Sequence, residues 1–382
     1  MFKTFRIQKF DFALTALVIA LNVIGVFAIA SAEPDLVHRE QLGMAVSLAF
    51  MLAVSLADYH KILKFYWILY ALNLAVLLAV ILIGSTGGGA QRWVNIGGVR
   101  FQPSETAKII LILFFAQFIM KHKDKMKTFP MIAACLLLIT APFVLVFKQP
   151  DLSTSVMIFI IFCAIMFVAG ISWKLIVGLL VAAVPAAVIL FNMVLQEGQT
   201  ILSSYQQGRI LAWLHPERYE NDLAYQTMNS IMAIGSGQLL GKGYNTNEIS
   251  SLLNSGYISE SQTDFIFTVI GEEFGFLGSV SVVILITLIS LSCLRIARNA
   301  PDIQGKIIAT GMAAWIGFQG FMNIGVATGI LPNTGIPLPF VSYGLTSLIS
   351  LYAGIGFVLN VNMQSGRRLQ TEDTLSFIEK RW

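Results

Sequence analysis

Residues 12–32 read FALTALVIALNVIGVFAIASA, an unbroken run with no charged side chain. About 20 apolar residues cross the hydrocarbon core of a bilayer as a helix, so this run is long enough to span. Outward from it, further apolar runs follow at Leu42–Ala57, Phe65–Ile83, Thr106–Met120, Met131–Phe147, Leu152–Ile171, Leu175–Leu195, Phe265–Leu294, Ile307–Leu331 and Leu345–Val361. The composition agrees, with 56% hydrophobic and only 12% charged residues in 382, about half the charge of an ordinary soluble domain. A soluble enzyme, a disordered chain and a fibrous one are all excluded. The expected fold is an all-α polytopic membrane protein with ten transmembrane helices, forming a single membrane domain over residues 1–382.

Positive charge sets the orientation. With the N-terminus inside, the cytoplasmic segments hold Lys3, Arg6 and Lys9, then Lys61 and Lys64, then Lys121, Lys123, Lys125 and Lys127, then Lys174, then Arg295, Arg298 and Lys306, and finally Arg367, Arg368, Lys380 and Arg381. That is 17 of the 25 basic residues, as the positive-inside rule requires. The shortest run, Thr106–Met120, has the length of a buried or re-entrant segment. Omitting it would place the four-lysine loop outside, so it is kept as a span, and both termini are cytoplasmic. A competing reading makes the basic N-terminus and the stretch ending Ala28-Ile29-Ala30-Ser31-Ala32 a cleaved signal peptide. The apolar stretch exceeds the usual signal core and more spans follow, which favours a retained first helix.

The cytoplasmic loops are short and leave no room for a nucleotide-binding domain. Outside, Gly84–Glu105 and the large extracellular loop 196–263, between helices 7 and 8, are long enough to carry function. A net charge of +4, scattered as it is, gives no reason to expect nucleic acid. Cys135, Cys163 and Cys293 all fall in apolar runs and suggest no disulfide framework. Gly237-Gln238-Leu239-Leu240-Gly241-Lys242-Gly243 imitates a phosphate-binding loop, but Ser236 and Gly243 stand where the pattern needs Gly and Ser/Thr. Any reaction must draw on an activated substrate or an ion gradient.

Acidic residues gather on the other side: 14 of the 21 lie at or beyond the outer boundary, where an ionisable group beside a span points to function. Four clusters stand out. In the first, Pro103 and Ser104 read as a helix start, placing Glu105 and Lys108 at i,i+3 on one face. They are either a structural ion pair or, with Arg92, a lining for an anionic headgroup. In the second, Lys148-Gln149-Pro150-Asp151, Asp151 is either a helix cap or a site residue. The third runs from Glu260 through Thr263-Asp264 to Glu272-Glu273. With a helix starting near Thr263, Asp264, Thr268, Gly271, Gly275 and Gly278 fall on one stripe. That stripe suits either an N-cap with close helix packing or a carboxylate at the head of a groove. The fourth, Leu331–Gly344, holds three prolines and two glycines. It is expected to be a rigid loop shaping a cavity within the outer leaflet.

Four motifs in this order, GAQRWVNIGG with FQPSETAK, KQPDLST, TDFIFTVIGEEFG and GILPNTGIPLPFVSYG, resemble the SEDS family (shape, elongation, division and sporulation) of membrane peptidoglycan glycosyltransferases. The likeness covers roughly Phe12 to Asn362 and is closer to the RodA branch, which serves cell elongation and cell shape, than to FtsW. Ser259 and Gln262 depart from residues the family often shows before its catalytic stretch. The resemblance implies that Asp264 is catalytic. It implies substrate-binding roles for Arg92, Glu105, Lys108, Asp151, Lys242 and Glu260. It further implies lipid II as substrate and undecaprenyl pyrophosphate as leaving group, in an inverting displacement with an Asp base. A class B penicillin-binding transpeptidase and other elongation-machinery membrane proteins are the implied partners, in the bacterial cytoplasmic (inner) membrane with the site on the outer face. No cofactor is assigned, and a divalent cation, Mg or Mn, is left open. The alternatives are a lipid II flippase and an ion-coupled transporter.

Overall fold

The computed structural model describes residues 7–87, 90–96, 99–171, 177–178, 181, 204–219, 224–245, 258 and 260–365. Helices dominate them: α1 (Phe12–Ala32), α2 (Val37–Leu56), the short α3 (Tyr59–Leu63), α4 (Tyr66–Ile83), α5 (Pro103–Lys121), α6 (Phe129–Lys148) and α7 (Leu152–Val168). After these come α8 (Ser204–Leu214), α9 (Tyr225–Ser236), α10 (Ile266–Arg298), α11 (Ile303–Ala327) and α12 (Leu345–Gln364). Among the described residues eight helical stretches are long and apolar enough to cross a bilayer, and α7 is a shorter apolar helix. The seventh expected run, Leu175–Leu195, lies outside the described residues except at positions 177, 178 and 181.

The all-helical expectation needs one correction. Ser85–Gly87 (β1), Ala90–Ile96 (β2) and Val99–Phe101 (β3) form an antiparallel three-stranded sheet in the order β1-β2-β3. Thr86 pairs with Gln91, and Asn95 with Arg100. The sequence between the strands is Gly-Gly in both places, and two of the strands have three residues, too few to show a period of two. The sheet gives Arg92 a fixed seat.

The bundle has an inner and an outer layer. In α5, α11 and α12, 78%, 67% and 83% of the most apolar stretch is buried, against 22–39% in α1, α4, α6 and α10. Lipid is as apolar as leucine, so outer helices can leave apolar faces uncovered while inner ones carry the polar residues. The weakest expected span is therefore the buried α5, beginning at Pro103 as the Pro-Ser signal indicates.

Helix α10 breaks at Gly275 (φ 63°, ψ −157°). The break removes the bonds that Phe276 and Leu277 N–H would make to Glu272 and Glu273. The segment 238–243 replaces them. Lys242 N–H and Gly243 N–H donate to the Glu272 and Glu273 carbonyls (2.9 and 3.1 Å), and Phe276 and Leu277 N–H donate to Gln238 and Leu239 (2.8 and 3.3 Å). Backbone freed at membrane depth must be satisfied by protein, and here all four groups are. The phosphate-loop imitation is this splint; its Gly241 (φ +81°) leaves no room for a β-carbon against Glu273.

Candidate active site

Asp264 stands in a turn just before α10. The helix starts at Ile266, with Phe265 in the cap position and no side-chain cap, so the expected start near Thr263 is too early and Asp264 is not an N-cap. The turn is closed by Thr263 N–H and Phe265 N–H donating to the Glu260 carbonyl (3.1 and 3.3 Å). Its next carbonyls are held from outside. Tyr343 N–H donates to Gln262 (2.9 Å), Ser342 Oγ to Thr263 (2.6 Å) and Asn323 Nδ2 to Asp264 (2.8 Å). Two of these donors belong to the Leu331–Gly344 loop. That loop buries Ile336, Leu338, Phe340 and Val341 and rests on α1, where a β-carbon on Gly25 would stand 2.7 Å from the Val341 backbone.

The loop also brings Gly335 (φ +70°) to the carboxylate. A β-carbon there would lie 3.2 Å from Asp264 Oδ2, 3.3 Å from Arg209 Nη1 and 3.8 Å from Arg92 Nη1. One carboxylate and two guanidiniums thus converge on a point that only glycine leaves open. Asp264 keeps some accessible surface but is densely surrounded by protein, and its pKa is pushed up to about 6. Burial is the largest cause; Arg209 pulls the value down, Glu260 pushes it up, Arg92 pulls it down and Asp151 pushes it up. Beside the convergence lies a small recess of about 30 Å³ lined by Arg92, Gln206, Arg209, Pro332, Asn333 and Thr334. Arg92 donates from Nη2 to the Pro150 carbonyl.

The remaining expected site residues are placed differently. Asp151 is buried and does cap α7, its Oδ1 accepting from Thr154 N–H at 3.1 Å. It also acts on Asp264 by charge, raising its pKa. Glu260 flanks Asp264 and its Oε2 accepts from Thr263 Oγ1 at 3.1 Å. Glu105 and Lys108 form a buried ion pair (2.7 Å) on α5, the structural alternative. Lys108 Nζ also donates to Gln319 Oε1 at 2.8 Å and lies 4.7 Å from the Trp315 ring centroid. Lys242 is drawn to the α10 break, where its Nζ pairs with Glu272 at 2.7 Å.

The small-residue stripe below Asp264 is filled by protein. Thr268 Oγ1 meets Ser230 Oγ of α9 at 2.5 Å, Gly271 faces Ile234, and Gly275 faces Leu239 and Gly241. Close packing, not an open groove, is its role here. Arg209, Asn323 and Ser342 carry weight that the sequence reading misses. Gln319 and Asn323 at i,i+4 of an apolar helix were the available signal; for Arg209, deep in a long loop, there was none. Among the described residues no group of three or more His, Cys, Asp or Glu side chains could hold a metal ion. Positive charge beside Asp264 is supplied by Arg92 and Arg209.

Residues 8–367 match the family model for FtsW, RodA and SpoVE, described as a cell cycle protein. The peptidoglycan glycosyltransferase MrdB of Escherichia coli (strain K12) is 38% identical over 296 residues, covering 77% of this chain and 76% of that protein. A probable peptidoglycan glycosyltransferase FtsW of Geobacter sp. (strain M18) is 31% identical over 371 residues, covering 94% and 98%. Among solved structures, a chain from work on polymerization and crosslinking by a peptidoglycan synthase complex superposes with a TM-score of 0.77 at 29% identity, covering 95% of this chain and 99% of that one. The rod shape determining protein RodA of Thermus thermophilus does so with a TM-score of 0.69 at 26% identity, covering 95% and 98%.

Proposed function

The chain belongs to the FtsW, RodA and SpoVE (SEDS) family, and from that membership we infer that it is a peptidoglycan glycosyltransferase of the bacterial cytoplasmic membrane. Its substrate is lipid II, and its reaction is an inverting displacement. The acceptor sugar's 4-hydroxyl oxygen bonds to the donor's anomeric carbon, the bond from that carbon to the pyrophosphate breaks, and undecaprenyl pyrophosphate leaves. The hydroxyl proton passes to the Asp264 carboxylate. A positioned base of this kind contributes about 10²–10⁴-fold, and a pKa of about 6 leaves it mostly ionised at neutral pH yet more basic than an ordinary aspartate. Arg209 and Arg92 meet the negative charge that develops on the departing pyrophosphate. The observation that carries this reading is the convergence of Asp264, Arg209 and Arg92 on Gly335.

The topology that goes with it has ten spans in a single membrane domain, both termini inside, and the site and loop 196–263 outside. The partner is a class B penicillin-binding transpeptidase, which crosslinks the strands as they form, within the elongation machinery. The synthase-complex neighbour supports that partner. A proton or ion relay through Glu105, Lys108, Glu272 and Glu273 is disfavoured because Glu105 and Lys108 pair with each other, Glu272 pairs with Lys242, and Glu273 accepts from Ser31 Oγ and Asn245 N–H.

The test is reconstitution of the protein with lipid II and a partner whose transpeptidase is inactivated, scored for glycan strands. Strand formation by the wild type and its loss in Asp264→Asn are expected. Translocation of lipid II without strands would replace the enzyme by a flippase.

A further inference from the structure

The residue closest to the centre of the hydrogen-bonding around Asp264 is on another helix. Asn323, on α11, is 1% exposed. Its Nδ2 donates to two carbonyls, Asp264 at 2.8 Å and Ile336 at 2.7 Å. Both amide hydrogens are thus used, and the flipped amide would set its oxygen against two carbonyl oxygens. Its Oδ1 is buried with no partner among the described residues, a cost that a purely structural position would not need. The two carbonyls belong to the two strands of chain that must meet at the site. One carries the Asp264 carboxylate, and the other follows Gly335, the point on which Arg209 and Arg92 converge. One turn earlier, Gln319 Nε2 donates to the Pro337 carbonyl at 2.9 Å, so α11 sets the height of the loop at successive residues.

We propose that Asn323 is a positioning residue: by holding the Asp264 and Ile336 carbonyls on one amide, it fixes the Asp264 carboxylate against the Arg209–Arg92 pair. The inference rests on the reading of Asp264 as the base. Asn323→Leu keeps the approximate volume and removes both donors. Displacement of a reacting group by about 1 Å costs on the order of 10²-fold, so kcat for lipid II polymerisation should fall by that order while KM changes little. The acid limb of the pH–rate profile should move to lower pH, because a released carboxylate gains water and burial is the main cause of its raised pKa. Asn323→Gln retains an amide on a longer arm and should recover part of the rate.

The reconstituted full-length protein with its partner is assayed in parallel with Asp264→Asn, and folding is followed by thermal unfolding in detergent. An inactive Asp264→Asn together with wild-type kcat and pH profile in Asn323→Leu overturns the positioning role and leaves the base standing. A fully active Asp264→Asn overturns the base reading, and the inference with it. If Asn323→Leu fails to fold, Asn323→Gln decides: a lowered rate with an unmoved acid limb would make Asn323 structural only, and a lowered rate with a shifted limb sustains the proposal.

Discussion

Lys108 Nζ donates to Gln319 Oε1 at 2.8 Å, and Gln319 Nε2 donates onward to the Pro337 carbonyl at 2.9 Å. The buried ion pair of α5 and the loop that shapes the site are therefore one hydrogen-bonded unit, with the Trp315 Nε1–H donating to the same Gln319 oxygen at 2.6 Å. Lys108 has its effect on the site through α11, without lining the recess beside Asp264.

Removing one member of that pair should be worse than removing both. Lys108→Met leaves the Glu105 carboxylate buried without its counter-charge, and breaking a buried pair in this way costs about 3–5 kcal/mol. Lys108→Met combined with Glu105→Gln should recover most of the loss. Unfolding in detergent of the two single variants and the double measures it. A double variant no more stable than Lys108→Met would show that the uncompensated charge is not the cause.

The charges around Asp264 make opposite predictions for the pH dependence of polymerisation. The base works when ionised, so the rate should rise as pH increases through about 6 and then level. Arg209→Gln removes a charge that favours ionisation, so the acid limb should move to higher pH as the rate falls. Glu260→Gln removes one that opposes it, so the limb should move to lower pH. Shifts in the same direction in both variants would contradict the assignment of that limb to Asp264.

The division between what sequence does and does not disclose follows from range. The spans are written in local composition, and all the expected runs that fall on described residues coincide with helices. Asp151 as a cap and Pro103 as a helix start are equally local. The small sheet escapes because its strands are too short to show alternation. The stripe below Asp264 has the right spacing but two possible occupants, and only the fold shows that α9 and the splint after it fill it. Lys242 sits in a motif that matches the family, yet what decides its partner is the break at Gly275. Arg209 is the extreme case: a residue of α8 whose meeting with Asp264 is wholly tertiary.

Asp264 should also reveal itself through stability. Its folded pKa of about 6 lies above the ordinary aspartate value of 3.8, so the folded state binds the proton more tightly than the unfolded chain. Stability then falls as pH rises between those two values and stays lower above them. The span corresponds to about 3 kcal/mol at neutral pH. Asp264→Asn, which carries no charge to bury, should therefore unfold at a higher temperature than the wild type at pH 7 and lose that advantage near pH 4. An Asn variant that is less stable at pH 7 would mean that the two arginines outweigh burial.

At the other end of α11, a histidine bridges two carboxylates. His60 Nδ1 lies 2.9 Å from Asp58 Oδ1 and its Nε2 lies 2.8 Å from Asp302 Oδ2, which also accepts from Tyr59 OH at 2.7 Å. Burial pushes the His60 pKa down, but hydrogen bonds and charge from Asp302 and Asp58 more than reverse it, leaving it raised. Burial pushes Asp58 and Asp302 up, and their bonds to His60 and to backbone N–H groups leave both lowered. The histidine's share of stability is thus full below its ordinary pKa of about 6.5 and is lost as pH rises through the folded value. The carboxylates' share is full above about 4 and is lost as pH falls through their folded values. Compared with His60→Gln, the wild type should show its largest gain in unfolding temperature between about pH 4 and 6.5. The gain should shrink on the alkaline side. An equal gain at pH 5 and pH 9 would mean that the bridge works by packing and neutral hydrogen bonds, without an imidazolium.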